Sequence, residues 1–305
     1  MLSAEENETL TETGPGTSMG KVFRAYWQPA LLSRELEADG APHRLRILGE
    51  DYVAFRDSDG AVGVLEPACS HRGANLFFGR NEDCGLRCVY HGWKFDVDGN
   101  CVDLPTSPPE IAERTREKAK IRALPVREWG DVVWVFLGEG DPPELPRFEF
   151  ATLPETHRFV SKKFQQCNWA QAVEGGLDTA HFSYLHANIA GGEKASLIPG
   201  DGVNEPPAVA RFRWLIEDGI PRFRVLRHDA GLILGASRQA DDDQLYWRLT
   251  QFLMPNHSLA PNTFPGEIYQ GNTWVPVDDH CCWSFCYAWT PDRPLTDQDR
   301  TQYAG

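Results

Sequence analysis

The chain has 305 residues, 41% of them apolar and ten of them Trp, enough to bury a large core and to divide into two domains. Thirty basic residues stand against 44 acidic ones, and the resulting formal charge of -14 repels nucleic acid and anionic lipid and excludes both as partners. No stretch approaches the ~20 consecutive apolar residues that span a bilayer, and the acidic start MLSAEENETLTETGPG resembles neither a signal nor a transit peptide, so a cytoplasmic protein is expected.

Residues 1–42 are expected as an arm or short helix that packs on the second domain and leads through MGKVFRAYWQP. From residue 43 the hydrophobic period becomes two. HRLRIL, YVAFR, AVGVL, LRCVY and WKFDV are short, rich in β-branched and aromatic residues, and broken by the hairpin signals DSDG and DVDGN. They predict a small antiparallel-sheet domain over 43–140, which passes through the Pro-rich LPTSPPE and the charged run ERTREKAKIR and closes with VREWGDVVWVFLG. DPPELP, at 141–146, reads as a linker. Residues 147–305 then predict a second, larger antiparallel sheet. HRFVSKKFQQ is a strand, CNWAQAVEGGLDTAHFSYLH an interrupted helix and RFRWLIEDGIPRFRVLRH a long hairpin about an Asp-Gly turn, with further strands in QLYWRLTQFLM, NTWVPV and CCWSFCYAW. The expected class is α+β.

Eight Cys occur without the dense spacing of a disulfide-stapled domain. Cys69 and His71 form Cys-x-His, and Cys88 and His91 form Cys-x2-His, with sixteen residues between His71 and Cys88. Zinc could take four such ligands. Zinc motifs, however, group cysteines with cysteines and histidines with histidines, whereas each loop here offers one of each. Two thiolates on one iron and two imidazoles on the other would let each loop reach both ends of a [2Fe-2S] rhomb. The pattern resembles the Rieske family. The proteins of the cytochrome bc complexes add a disulfide and a hydrogen-bonding Ser around the cluster, but the corresponding positions here hold Ala74, Tyr90 and Trp93. Fewer donors to the sulfurs imply the low end of the Rieske range, near ~-150 mV.

Asp178, His181 and His186 form D-x2-H-x4-H, which is similar to the mononuclear iron motif of the Rieske ring-hydroxylating oxygenases. Two imidazoles and a carboxylate on one face of Fe(II) leave positions open for O2 and substrate. On an ideal helix His181 and His186 would point ~140° apart, so the helix must end, kink or bulge between them, with Gly175 and Gly176 already loosening its start. His228, His257 and His280 have no partner at ligand spacing and read as structural; Cys281, Cys282 and Cys286 read as core thiols.

The resemblance is to the phthalate dioxygenase type and runs from MGKVFRAYWQP through LFFGRNEDCGLRCVYHGWKFDVDGNCVDLP to WVPVDDH and TPDRPLT. It implies a helix-grip-like catalytic domain and the oxygenase (α) subunit of a multicomponent system. A separate NAD(P)H-dependent flavin or ferredoxin-type reductase would supply electrons. Asp178 would bridge an iron-bound His to a cluster His, here His91, of the neighbouring subunit in a head-to-tail trimer, with Asn168, Gln171 and Glu174 as supporting residues around the iron. The implied substrate is an aromatic carboxylate, with cis-dihydroxylation, monohydroxylation and O-demethylation all on the same scaffold; Arg211, Arg213, Arg222, Arg224 and Arg227 offer a charge to pair with it, or simply a solvated face. A third iron ligand, a carboxylate well beyond His186, is expected but not found: Asp292, Asp297 and Asp299 lie in the stretch that precedes its segment in the family, so the chain is expected to be incomplete. The competing reading is a Rieske electron carrier whose second domain only docks partners.

Overall fold

The computed structural model describes residues 2–185, 207–260 and 266–303. Two short helices, α1 (Ala4–Thr11) and α2 (Ser18–Arg24), precede strand β1 (Gln28–Leu32). Next come β2 (His43–Ile47), β3 (Glu50–Arg56), β4 (Val62–Leu65), β5 (Arg80–Asn81), β6 (Leu86–Arg87), β7 (Lys94–Phe95), β8 (Cys101–Asp103), helix α3 (Pro109–Lys118), β9 (Val126–Trp129) and β10 (Val132–Val135). They make three small antiparallel sheets, β1-β10-β9, β2-β3-β4 and β5-β6-β7-β8. The hairpin signals close as their chemistry dictates: Asp57 accepts from the amides of Asp59 and Ala61, and Asp96 from those of Asp98 and Asn100. β1 departs from the expected arm. Gln28–Leu32 is buried at every position and pairs with β10, so it carries no alternation from which a strand could be read.

The second half holds α4 (Glu149–Thr152), β11 (Arg158–Gln165), α5 (Trp169–Leu177), α6 (Pro207–Glu217), β12 (Arg222–His228), β13 (Gly231–Gln239), β14 (Leu245–Leu253), β15 (His257–Leu259), β16 (Tyr269–Pro276), β17 (Cys282–Trp289) and α7 (Asp297–Gln302). Its strands form one antiparallel sheet in the order β11-β17-β16-β15-β14-β13-β12. None of the described helices is long and apolar enough to cross a membrane.

The expected hairpin at 211–228 is corrected. Its first arm is helix α6, and β12 turns instead into β13. R-F-R-W-L-I-E alternates in sequence, yet the helix wins because it buries Leu215, packs Trp214 at a tilt against Tyr246 and sets Arg213 one turn before Glu217, with a 3.1 Å ion pair. Arg211 and Arg213 therefore sit on a helix, paired with Glu267 and Asp241, and not on the strand of Arg222, Arg224 and Arg227.

Two apolar cores result. One joins β1, β10 and Phe23 to Trp169, Val173, Trp274 and Phe285 of the large sheet and its helix. The other is smaller, and Cys69 and Cys88 lie inside it with Leu76, Leu86, Trp93 and Phe95.

Candidate metal centres

The loops between β4 and β5 and between β6 and β7 have the same backbone design. The Cys69 amide donates to Ala74 and the Gly73 amide returns to the Cys69 carbonyl; the Cys88 amide donates to Trp93 and the Gly92 amide returns to Cys88. Each loop thus closes a knuckle that aims its thiol inward. Both thiols are 3% exposed, while His71 and His91 sit half-buried at the rim with ring centroids 4.5 Å apart. His71 also stacks on Trp93 at 4.4 Å, nearly parallel, and Tyr90 covers His91 at 4.0 Å. Arg87 braces the second knuckle by donating to the Gly92 carbonyl at 2.7 Å while paired with Glu82 and Asp103.

These residues fit a [2Fe-2S] cluster. The His71 Nδ1 is buried with no hydrogen-bond partner among the described residues, the orphaned atom expected of a ligand. Burial pushes the Cys69 thiol up to about 11, with the adjoining Cys88 sulfur adding to it. Such a pair ionises only when a cation compensates it. Desolvation, then the charge of His91, hold His71 below the usual imidazole value. Among the described residues no three His, Cys, Asp or Glu converge on one ion. A two-iron cluster does not require it, since each iron takes only two protein ligands.

The second constellation begins where α5 ends. Asn168 caps its start, accepting from the Ala170 amide, and Trp169, Ala170 and Val173 are buried. Gly176 lies against the Trp274 ring, where any side chain would collide. The helix stops at Leu177. Asp178 is extended and starts a new turn, Ala180–Ser183, by accepting from the Ala180 amide at 2.8 Å and the His181 amide at 3.1 Å. Its Oδ2 also meets the His181 Nδ1 at 2.9 Å. The helix therefore ends sooner than the spacing requires, and Asp178 is a cap rather than a helix-face carboxylate. Desolvation works to raise the Asp178 carboxyl, but the two amides and the His181 ring outweigh it and hold it below the ordinary carboxylate range. A carboxylate on Nδ1 fixes the tautomer that presents Nε2 to a metal. His186, the partner ligand expected from the spacing, lies outside the described residues.

The Rieske [2Fe-2S] domain family matches residues 26–126, and the family described as LigXa C-terminal domain like matches residues 135–303. The 3-chlorobenzoate-3,4-dioxygenase oxygenase subunit of Comamonas testosteroni is 41% identical over 294 residues, 96% of this chain and 65% of that protein. The chain belongs to the Rieske oxygenase α subunits. The phthalate 4,5-dioxygenase oxygenase subunit of Pseudomonas putida is 38% identical over 314 residues, covering 100% of this chain and 68% of its own. The chain thus spans about two thirds of the length of these relatives. Among solved structures, dicamba monooxygenase bound to dicamba shares the fold, with a TM-score of 0.63 at 20% identity over 92% of this chain and 86% of the other.

The other expected residues of this Rieske oxygenase chain lie apart from the two knuckles. Asn168 ties segments together, its amide donating to the carbonyls of Thr11 and Asp279. Gln171 and Glu174 are exposed on α5, and the Glu174 carbonyl receives the Asp178 amide. Asp299 belongs to the capping box of α7 with Thr296 and pairs with Arg293 at 2.6 Å; Asp297 sits in the first turn of that helix. His257 is buried against Thr273, while His228 and His280 are exposed. Three positively charged residues stood out in neither spacing nor composition: Arg87, and two on one face of the β13-β14 pair, Arg238 and Arg248. Arg248 lies over the ring of Phe182, beside His181, at 4.5 Å. Local sequence marks neither, because a buried Arg looks like any strand Arg until the partner strand is known.

Proposed function

We propose that this chain acts as the oxygenase component of a multicomponent system, hydroxylating an aromatic carboxylate with O2 and with electrons passed from NAD(P)H by a separate flavin or ferredoxin-type reductase. Cys69, His71, Cys88 and His91 hold the [2Fe-2S] cluster, and His181 with His186 holds the mononuclear iron. When bound, the cluster carries one electron at a time and the iron offers open positions to O2 and substrate. Asp178 holds the proton on the His181 Nδ1 and turns Nε2 outward. In a head-to-tail trimer the same carboxylate serves as the bridge to His91 of the next subunit. The relatives named for 3-chlorobenzoate and phthalate support an aromatic acid as substrate. So does the Arg248 guanidinium, which lies over the ring of Phe182, the neighbour of His181 in the chain.

The observation that carries this reading is the 2.9 Å hydrogen bond between Asp178 and His181, because a pure electron carrier needs no oriented imidazole in its second domain. Iron analysis of the full-length protein tests it: three irons per chain are expected, one of them lost in His181→Ala, and two in wild type would reduce it to a carrier. Turnover of an aromatic acid panel with reductase and labelled O2 then separates incorporation of two oxygen atoms from one.

A further inference from the structure

Arg238 has the most unusual surroundings of any cation among the described residues. Its side chain projects from β13 and the residue is wholly buried. Its Nη2 donates to the Thr179 carbonyl at 2.6 Å, while Nε and Nη1 have no hydrogen-bond partner among the described residues. Burying a guanidinium without an ion-pair partner is costly, and a fold that needed only packing here would do better with Leu or Met. Thr179 stands between Asp178 and Ala180. The peptide unit whose oxygen receives Arg238 is also the one whose N–H, that of Ala180, donates to Asp178 Oδ1 at 2.8 Å. Asp178 Oδ2 in turn accepts from the His181 ring. A cation at the oxygen end of a peptide polarises it and strengthens the donor at its other end.

We infer that Arg238 is a positioning residue for the iron site: its charge, relayed through the Thr179–Ala180 peptide, sets the Asp178 carboxylate that orients His181. The inference rests on the reading of His181 as an iron ligand. Arg238 touches neither metal nor substrate in this role. It acts through Asp178, so its effect exists only while Asp178 can respond, whereas a plain structural staple costs the same whichever residue stands at 178.

The test is a cycle of Arg238→Gln and Asp178→Asn in the full-length protein, read as the affinity of the chelator-stripped mononuclear site for Fe(II) or Co(II), with visible absorption of the Rieske cluster as the check on the other domain. Arg238→Gln is expected to weaken metal binding roughly 10-fold, the lower end of the effect of residues that orient ligands from outside the coordination sphere. In the Asp178→Asn background it adds less than about 2-fold. Arg238→Lys, which keeps the charge, stays within about 3-fold of wild type. Equal losses in both backgrounds, or none in either, overturn the inference. Where Arg238→Gln does not fold, Arg238→Lys decides, and binding as weak as that of Asp178→Asn overturns it. His181→Ala separates the layers: wild-type affinity in that variant overturns the iron-site reading and the inference with it, while a weakened His181→Ala beside an unaltered Arg238→Gln overturns the inference alone.

Discussion

The twin knuckles give a matched experiment. Gly73 and Gly92 hold the same place in their loops, each amide returning to the carbonyl of the loop's cysteine, and each is left-handed, with φ of +71° and +78°. They differ in what surrounds them. A Cβ on Gly73 meets nothing within 4 Å, whereas a Cβ on Gly92 comes to 2.7 Å from Pro105 Cγ. Gly73→Ala should therefore cost only the conformational penalty of an L side chain in that region, about 1–2 kcal/mol. Gly92→Ala adds the overpacking against Pro105, about 1–3 kcal/mol more. The added cost also falls where Arg87 holds the Gly92 carbonyl and Thr106 holds that of His91, so the His91 ring moves with it. The assay is loss of the cluster's visible absorption during urea or thermal unfolding of both variants and wild type. For a unit near 100 residues each kcal/mol lowers the midpoint by roughly 4–8 °C. Equal midpoints for the two variants, or a less stable Gly73→Ala, would refute the claim that the second knuckle is packed against Pro105 while the first stands open.

Asp178→Asn removes the charge that orients His181, and turnover is expected to fall roughly 10- to 100-fold while the cluster spectrum stays as in wild type; unchanged turnover would remove the carboxylate from the mechanism. Arg248→Gln should raise KM for an aromatic carboxylate by roughly 10- to 150-fold, corresponding to one charge-assisted hydrogen bond of about 1.5–3 kcal/mol, and leave the matching carboxamide almost unaffected; equal effects on both substrates would take Arg248 away from the carboxylate. Burial pushes His257 down to about 3, so the folded ring stays neutral while the unfolded one takes up a proton below ~6.5. Its contribution is present above that value and is lost as the pH falls toward 3, by up to about 1.4 kcal/mol per pH unit, and urea titrations at pH 6.5 and 5 should differ by about 1.6 kcal/mol more in wild type than in His257→Asn. Parallel pH dependence in the two would place the ring in contact with water.

What the sequence made legible was chemistry carried by spacing. Cys69, His71, Cys88 and His91 stand out because few other tasks need alternating thiols and imidazoles, and DSDG and DVDGN mark hairpins because Asp57 and Asp96 close their own turns. Tertiary competition was not legible. R-F-R-W-L-I-E suits a strand or a helix equally well by period, and the burial of Leu215, the Tyr246 ring and Asp241 favour the helix from outside the segment's own pattern. Q-P-A-L-L has no alternation because both of its faces are buried. Asn168 fits the pattern of an iron-site neighbour, and what spacing does not reveal is that its side chain also caps α5 and donates to the carbonyls of Thr11 and Asp279. Residue type identifies what a side chain is able to do, and its competing partners decide what it does.

The placement of apolar surface bears on the head-to-tail ring. A lone chain that passed electrons internally would gain by burying the rim of the cluster knuckles against its own iron loop. Instead Val89 and Tyr90, in the knuckle of His91, are exposed, with Tyr90 62% exposed and its ring against His91, and Tyr184 and Leu185, a few residues past His181 in the chain, are exposed too, with Tyr184 78% exposed. Large exposed apolar side chains at both ends of the proposed electron path are the kind of surface that a partner covers. The direction of the ligands agrees with this. The thiols lie in the core and the imidazoles at the rim, so His71 and His91 would hold the outer end of a cluster bound there. A carboxylate that already holds His181 and keeps part of its surface in solvent is suited to meet such an imidazole from another copy. In the proposed assembly, pairing the cluster end of one chain with the iron end of the next would cover both apolar rims with one kind of contact, and such a head-to-tail contact closes a ring when its rotation closes.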